Sequence, residues 1–329
     1  MMKKISLLIP EGDISLSNIE ATFKMFTKVN EAMQKQDLEP LFSVSLVALN
    51  KEPRQVNGLF SIIPQFSLNE VDSSDIIIIP AVHGDMKEVV ARNRDFIPWI
   101  IQQHADGAEI VSLCIGAFIL ASTGLLNGRS CTTHWIAAEE FRIMFPEVNL
   151  APYKILTDER GIYTSGGAYS SLNLILYLVE KFAGREMALV TSKIFEIDID
   201  RNSQSPFIMF RGQKEHEDSL IRNAQEYIEN NFNERITVDQ LATMLSVGRR
   251  NLERRFKRAT ANTVVEYIQR VKIEAAKLSF ESSRENVNEV MYKVGYNDTK
   301  AFRTTFKKLT GLSPMQYRNK YNRELAMAQ

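Results

Sequence analysis

A chain of 329 residues exceeds what one hydrophobic core ordinarily serves, and with 44% hydrophobic and 24% charged residues it is no disordered polymer, so two globular domains are expected. The 40 basic and 40 acidic residues cancel, yet unevenly: Glu215 to Gln329 holds 20 basic against 15 acidic residues, and the preceding part 20 against 25. No run approaches eighteen uninterrupted apolar residues, the opening MMKKISLLIP is broken by Glu11, Gly12 and Asp13, and two cysteines are too few for a disulfide framework, so a membrane span and a secreted scaffold are excluded and a cytoplasmic protein is expected.

In chain order, short β-rich runs are predicted at Ile5 to Ile9, Phe42 to Leu49, Ile76 to Pro80 and Glu109 to Leu113. The run at Ile76 to Ile79 is apolar at every position, which suits a strand covered on both faces. Helical patterns fall at Leu16 to Lys35, Asn93 to His104, Ala117 to Thr123, Thr133 to Phe145 and Ser171 to Phe182, and Asn50 to Ser74 is polar and turn-rich. Strands alternating with helices predict an α/β, doubly wound, mostly parallel sheet over residues 1–185. A connector follows at 186–217, polar but carrying Phe207, Ile208, Met209 and Phe210. Residues 218–322 read as all-α, with helices at Leu220 to Asn230, Val238 to Leu245, Arg249 to Arg258, Thr263 to Phe280, Val287 to Val294, Thr299 to Leu309 and Pro314 to Tyr321, before a tail at 323–329.

The helical part repeats itself with a period of fifty residues. Phe256, Lys257, Arg258 and Thr260 recur as Phe306, Lys307, Lys308 and Thr310, and Leu252 recurs as Phe302. Each copy has the parts of a helix-turn-helix: a short helix, a turn, and a second helix that is apolar inside and basic outside. In the first, Leu241, Leu245, Leu252 and Phe256 form the inner face, Gly248 is expected at the turn, and Arg249, Arg250, Arg254 and Lys257 face outward. In the second, Met291 and Val294 pack on Phe302 and Phe306, Gly295 takes the turn, and Lys300, Arg303, Thr304 and Lys307 remain exposed. Two recognition helices on one side of the module would enter successive major-groove segments about 34 Å apart.

This part, through VGYNDTKAFRTTFKKLTGLSPMQYR, resembles the DNA-binding domain of the AraC/XylS family of transcription regulators. The resemblance implies contacts to DNA from Arg249, Arg250, Glu253 and Arg254 in the first unit, and from Thr299, Lys300, Arg303 and Thr304 in the second. The family usually has Gly and Pro after the first recognition helix, where this chain has TANTVVEY.

In the first domain, EIVSLCIGAFILASTGLL reads as a strand entering Cys114, followed by Gly116 and a helix. Such an elbow presents its side chain at the carboxyl edge of a sheet and aims helix amides at it, which predicts a lowered thiol pKa. His134, in TTHW, is a candidate base, and His83, in AVHGD, stands at the same sheet edge, where open α/β sheets place ligands. The elbow and TTHW resemble the PfpI/ThiJ branch of the class I glutamine amidotransferase-like superfamily, and with the helical part the whole chain is similar to regulators of the GlxA type. Catalytic members of the superfamily use a Cys, a His and an acid. Here Ile115 stands where PfpI-type proteases have the His, and Asn18 where an acid would be useful, with Glu20 nearby.

The expectation is therefore a regulator of double-stranded DNA and not an enzyme, a homodimer with a small-molecule effector in a pocket formed by Cys114, Ile115, His134, His83 and Glu20. RNA polymerase is a further partner, and no metal or other cofactor is called for. Two alternatives stay open: a cysteine amidase or deglycase with an accessory DNA-binding domain, and a thiol redox sensor at Cys114.

Overall fold

The computed structural model describes residues 2–214 and 216–322, so the expected tail at 323–329 lies outside the described residues. The chain forms two compact units, one ending at Gln204 and the other beginning at Ser205. The stretch expected as a connector is divided between them.

The first unit is built on a seven-stranded sheet. Its strands are β1 (Lys3–Leu8), β2 (Phe42–Ala48), β3 (Phe66–Ser67), β4 (Ile76–Ile79), β5 (Glu109–Ser112), β6 (Leu156–Asp158) and β7 (Ile162–Ser165). They lie in the order β6-β7-β5-β4-β1-β2-β3, and every pairing is parallel except β6 with β7. The alternation of side chains along a strand divides the four isoleucines of β4 between two cores. Ile77 and Ile79 join Leu8, Val47 and Ile110 beneath helices α2 (Met86–Arg92), α3 (Phe96–Ala105), α4 (Ala117–Ser122) and α5 (Ala138–Met144). Ile76 and Ile78 join Ile5, Leu7 and Val111 beneath α1 (Leu16–Gln34) and α6 (Ser170–Ile194). A parallel sheet with helices on both faces is the doubly wound arrangement, and it belongs to the flavodoxin-like class.

Several elements depart from the expected ones. The helix expected from Thr133 to Phe145 is a 3-10 turn at Trp135–Ala137 followed by α5, and strands β6 and β7 were not expected. The helix expected from Asn93 to His104 begins only at Phe96, as α3, because Asn93 closes the separate helix α2 instead of opening this one: its buried amide donates to the Val89 and Glu11 carbonyls and accepts from the Glu11 N–H. The helix expected to stop at Phe182 resumes beyond a kink at Gly184, whose φ of 86° interrupts α6, and ends at Ile194. The stretch from Asn50 to Ser74 is not all turn, for it holds an antiparallel pair, Arg54–Val56 with Phe60–Ile62, and strand β3.

The second unit contains, among its described residues, a 3-10 turn at Ser205–Phe207 and seven α-helices: α7 (Ser219–Asn230), α8 (Val238–Met244), α9 (Arg249–Thr260), α10 (Val264–Ser282), α11 (Val287–Lys293), α12 (Thr299–Thr310) and α13 (Pro314–Tyr321). They enclose two small cores. Ile221, Leu241, Leu252, Phe256 and Tyr267 fill the first, and Met291, Val294, Phe302, Phe306 and Tyr317 the second. Helix α10 serves both, giving Val264, Tyr267 and Ile268 to one and Ile273, Ala276 and Phe280 to the other.

Candidate functional site

The two helix-turn-helix units are built alike. Thr237 opens α8 with a capping box shared with Gln240, and Asn286 opens α11 with one shared with Glu289. Along the second helices the inward positions coincide at an offset of fifty: Leu252, Phe256 and Thr260 are buried in α9, as are Phe302, Phe306 and Thr310 in α12. In each, the threonine hydroxyl donates to the carbonyl four residues back, of Phe256 or Phe306, at 2.8 Å.

The first turn corrects the expectation for Gly248. That residue is extended, with φ −68° and ψ 140°, and precedes α9 as its N-cap. The left-handed position belongs to Ser246, at φ 55°, whereas in the second unit Gly295 does hold it, at φ 77°. A Cβ on Gly248 would meet nothing within 4 Å, so the first turn has no need of glycine there. The departure at TANTVVEY leaves the helices intact. Ala261 takes the left-handed position that Gly311 takes after α12, and Thr263 opens α10 with the capping box that Ser313 supplies to α13.

Arg250, Glu253, Arg254 and Lys257 are exposed on α9, and Thr299, Lys300, Arg303, Thr304 and Lys307 on α12. Arg249 is exposed too but engaged, 3.1 Å from Asp239 and 3.3 Å from Glu253. Among the described residues, Arg250, Arg254, Lys257, Lys300, Arg303 and Lys307 have no carboxylate partner. Beside α9 runs a cleft of about 720 Å³, whose walls include Arg250, Glu253, Arg254, Lys257, Arg258 and the start of α10 at Thr263, Val264 and Val265. The sequence reading passed over Arg258 and Val265 as site residues, although Arg258 ends the basic run.

At the carboxyl edge of the sheet, Cys114 sits in the left-handed region, φ 56°, an unfavourable conformation for a residue with a side chain. Its N–H donates to the Ser165 hydroxyl at 3.1 Å, and its carbonyl accepts from the Thr133 hydroxyl at 3.0 Å. The helix behind it approaches the end of β4 so closely that a Cβ on Gly116 would lie 2.6 Å from the carbonyl oxygens of Ile79 and Pro80. Cys114 is only 4% exposed. The expected lowering of its pKa is reversed: burial pushes the thiol up, and hydrogen bonds from the Ala168 and Ile115 amides only partly offset this.

The structure brings His134 to the same place. Its ring lies against Gly167, where a Cβ would fall 2.2 Å from the imidazole, and its Nδ1 accepts from the Ile136 N–H at 3.1 Å. Burial lowers the His134 pKa, and His83, exposed at the end of the two-residue strand Val82–His83, lowers it further. Ile115 is buried beside Cys114. Glu20 does not belong to the pocket: it is exposed on α1 and paired with Lys24 one turn on, at 2.5 Å. Asn18, which turns inward, is occupied in structure, accepting from the Ala81 N–H and donating to Ser171. No acid therefore completes a triad from α1.

One residue of this site was illegible in the sequence. Gln204, 1% exposed, accepts from the Gly167 N–H at 3.1 Å and donates to the Thr133 carbonyl at 2.9 Å. It thus ties together the two segments that carry His134 and the amide at Ala168. Among the described residues no group of three His, Cys, Asp or Glu is arranged to hold a metal ion, and no helix is long and apolar enough to cross a membrane.

Comparison with known proteins assigns both units. Residues 25–181 match the DJ-1/PfpI family, and residues 241–320 match a helix-turn-helix domain. The HTH-type transcriptional regulator GbdR of Pseudomonas aeruginosa is 25% identical over 82% of this chain and 73% of its own length. The regulator CdhR of the same species is 23% identical over 75% of each chain, and GlxA of Rhizobium meliloti 23% identical over 65% of this chain and 66% of its own. Among solved structures, an AraC family transcriptional regulator from Pseudomonas putida shares the fold over 59% of this chain and 99% of its own, at 14% identity and a TM-score of 0.51. A ThiJ/PfpI family protein from Pseudomonas syringae does so over 75% and 91%, at 18% identity and 0.51.

Proposed function

We propose that this chain, a sequence-specific transcription regulator similar to AraC-type regulators with a DJ-1/PfpI domain, reads DNA with α9 and α12, under control of a small metabolite held beside Cys114. The observation that carries the reading is the repeated surface of the two helices. Arg250, Glu253, Arg254 and Lys257 stand opposite a buried Leu252 and Phe256, and Lys300, Arg303, Thr304 and Lys307 stand opposite a buried Phe302 and Phe306. A basic face whose cations are unpaired, set on a helix that follows a tight turn, suits the major groove.

For the effector site, the support is the cluster at the sheet's carboxyl edge, where Thr133 bonds the Cys114 carbonyl, the neighbouring His134 ring lies on Gly167, and the exposed His83 is close enough to act on the imidazole. Two protomers on one operator, contact with RNA polymerase and a cytoplasmic setting complete the reading. Catalysis at Cys114 is disfavoured by a thiol that burial holds in its neutral form and by the lack of an acid from α1.

Selection of duplexes from a random pool by the full chain tests this. The enriched sequences are expected to contain two short segments centred about 34 Å, one helical turn, apart. A pool that binds in a salt-dependent manner yet enriches no sequence would refute specific reading.

A further inference from the structure

We propose that Lys272 sets the spacing at which the two DNA-reading helices meet the duplex, acting as a positioning residue that touches no DNA. The inference rests on the DNA-binding reading above and adds to it the element that holds the two readers in register.

The two small cores of the second unit are separate, and α10 is the helix that runs through both. A single shared helix would let the units rock about its axis. Lys272 lies in the middle of α10, 7% exposed, and its Nζ donates to the Glu234 carbonyl at 3.1 Å and to the Gly295 carbonyl at 3.0 Å. These carbonyls belong to different units. Glu234 is in the loop between α7 and α8, just before the first helix-turn-helix, whereas Gly295 is the turn residue of the second.

The loop and the turn are also in direct contact. A Cβ on Gly295 would fall 2.3 Å from the Asn233 carbonyl oxygen and 2.7 Å from Lys272 Nζ, so the left-handed glycine admits an approach that a side chain would forbid. Around this point the loop straddles both cores, with Phe232 packed in the second and Ile236 in the first. The Tyr296 ring faces the ammonium, 5.6 Å away. A buried cation giving charge-assisted bonds to two carbonyls is a strong and directional clamp, and removing it strands both acceptors. Since Gly295 leads through Asp298 into α12 and Glu234 leads through Thr237 into α8 and α9, the clamp fixes one recognition helix against the other. A slip of one base pair moves a DNA segment by about 3.4 Å and roughly a tenth of a turn, which a rigid pair of readers does not tolerate.

The test is the duplex selection above, run in parallel with the full-length Lys272→Met, Lys272→Arg and Gly295→Ala chains, reading both the segment sequences and the distance between them. The native chain is expected to enrich two segments at one separation. Lys272→Met is expected to enrich the same two segments at separations spread about one base pair to either side, and Lys272→Arg, which keeps the donors, to restore the single separation. A residue that touched bases would change a segment and leave the distance alone. A Lys272→Met pool with the single native separation overturns the proposal. A native pool with no enriched segment instead overturns the DNA-binding reading. Should Lys272→Met lose its helical circular dichroism, Gly295→Ala decides: its Cβ pushes the turn off the Asn233 loop, so an unchanged separation overturns the clamp as well.

Discussion

The electrostatics of α9 make the ranking of its arginines testable. Arg254 has a 3.4 Å contact with the Asn251 side chain and no carboxylate partner, so its guanidinium is available to DNA at little cost. Arg249 must first leave Asp239 and Glu253, both within 3.3 Å. Replacing Arg254 with Ala is therefore expected to weaken binding to the selected duplex by about 1–3 kcal/mol, roughly 5- to 150-fold, if it reads a base. If it instead holds a phosphate, the loss is similar on all sequences and the slope of log K against log salt falls by about 0.9. Arg249→Ala is expected to cost less than Arg254→Ala. Glu253→Gln releases one of Arg249's two partners and removes a negative charge from the face, so it should tighten binding and steepen the salt dependence. Anisotropy titrations of each chain at three salt concentrations, on selected and scrambled duplexes, measure all of this. The reasoning fails if Arg249→Ala proves the most damaging, or if Glu253→Gln weakens binding.

Two further outcomes follow from groups with shifted titration. Because burial raises the Cys114 thiol, alkylation by iodoacetamide should be slow at neutral pH and climb only above the ordinary thiol value of about 8.5, and a plateau reached by pH 7 would contradict this and revive the enzymatic alternative. Asp218, which caps α7 and accepts two bonds from Arg255 at 2.6 and 2.9 Å, is held below the usual carboxylate range chiefly by that arginine. Its contribution to stability is fully present above the unfolded value near 4 and is lost as pH falls through the lower folded value. Asp218→Asn, which retains the cap, should lower the thermal midpoint at pH 7 and flatten its acid dependence, and an equal drop at pH 7 and pH 3 would argue against the ion pair.

What the sequence disclosed followed the strength of each local signal. The continuous isoleucines of β4 declared a strand buried on two faces, and the fifty-residue period declared two helix-turn-helix units that a single window would not have distinguished from a basic bundle. Strand β7 escaped because its residues, Ile162 to Ser165, are half polar although all four are buried. Their hydroxyls are satisfied across the fold, Thr164 by the Thr132 N–H at 2.8 Å and Ser165 by the Cys114 N–H, and such partners have no local trace. Gln204 was hidden for the same reason: in RNSQSPF it reads as one more polar linker residue, and only the fold carries Gly167 and Thr133 to it. The pKa of Cys114 was misjudged because the elbow suggested amides, while the burial of the thiol, which wins, is a tertiary property.

On the proposed reading, the two units share a scaffold and diverge where they would face DNA. At the offset of fifty, Arg250 answers to Lys300, Glu253 to Arg303, Arg254 to Thr304 and Lys257 to Lys307. Only the last pair is identical, while the inward residues beside them remain apolar or threonine throughout. Charge reverses at the second of these positions, and a long donor gives way to a short hydroxyl at the third. Bidentate arginine favours guanine, and a threonine methyl favours thymine, so the two helices would select different bases although they dock alike. One protomer then recognises two unlike segments in a fixed order, and this gives its site a direction along the duplex. A clamp at Lys272 is what such a directional reader requires, because two dissimilar segments identify a site only when the distance between them is held constant.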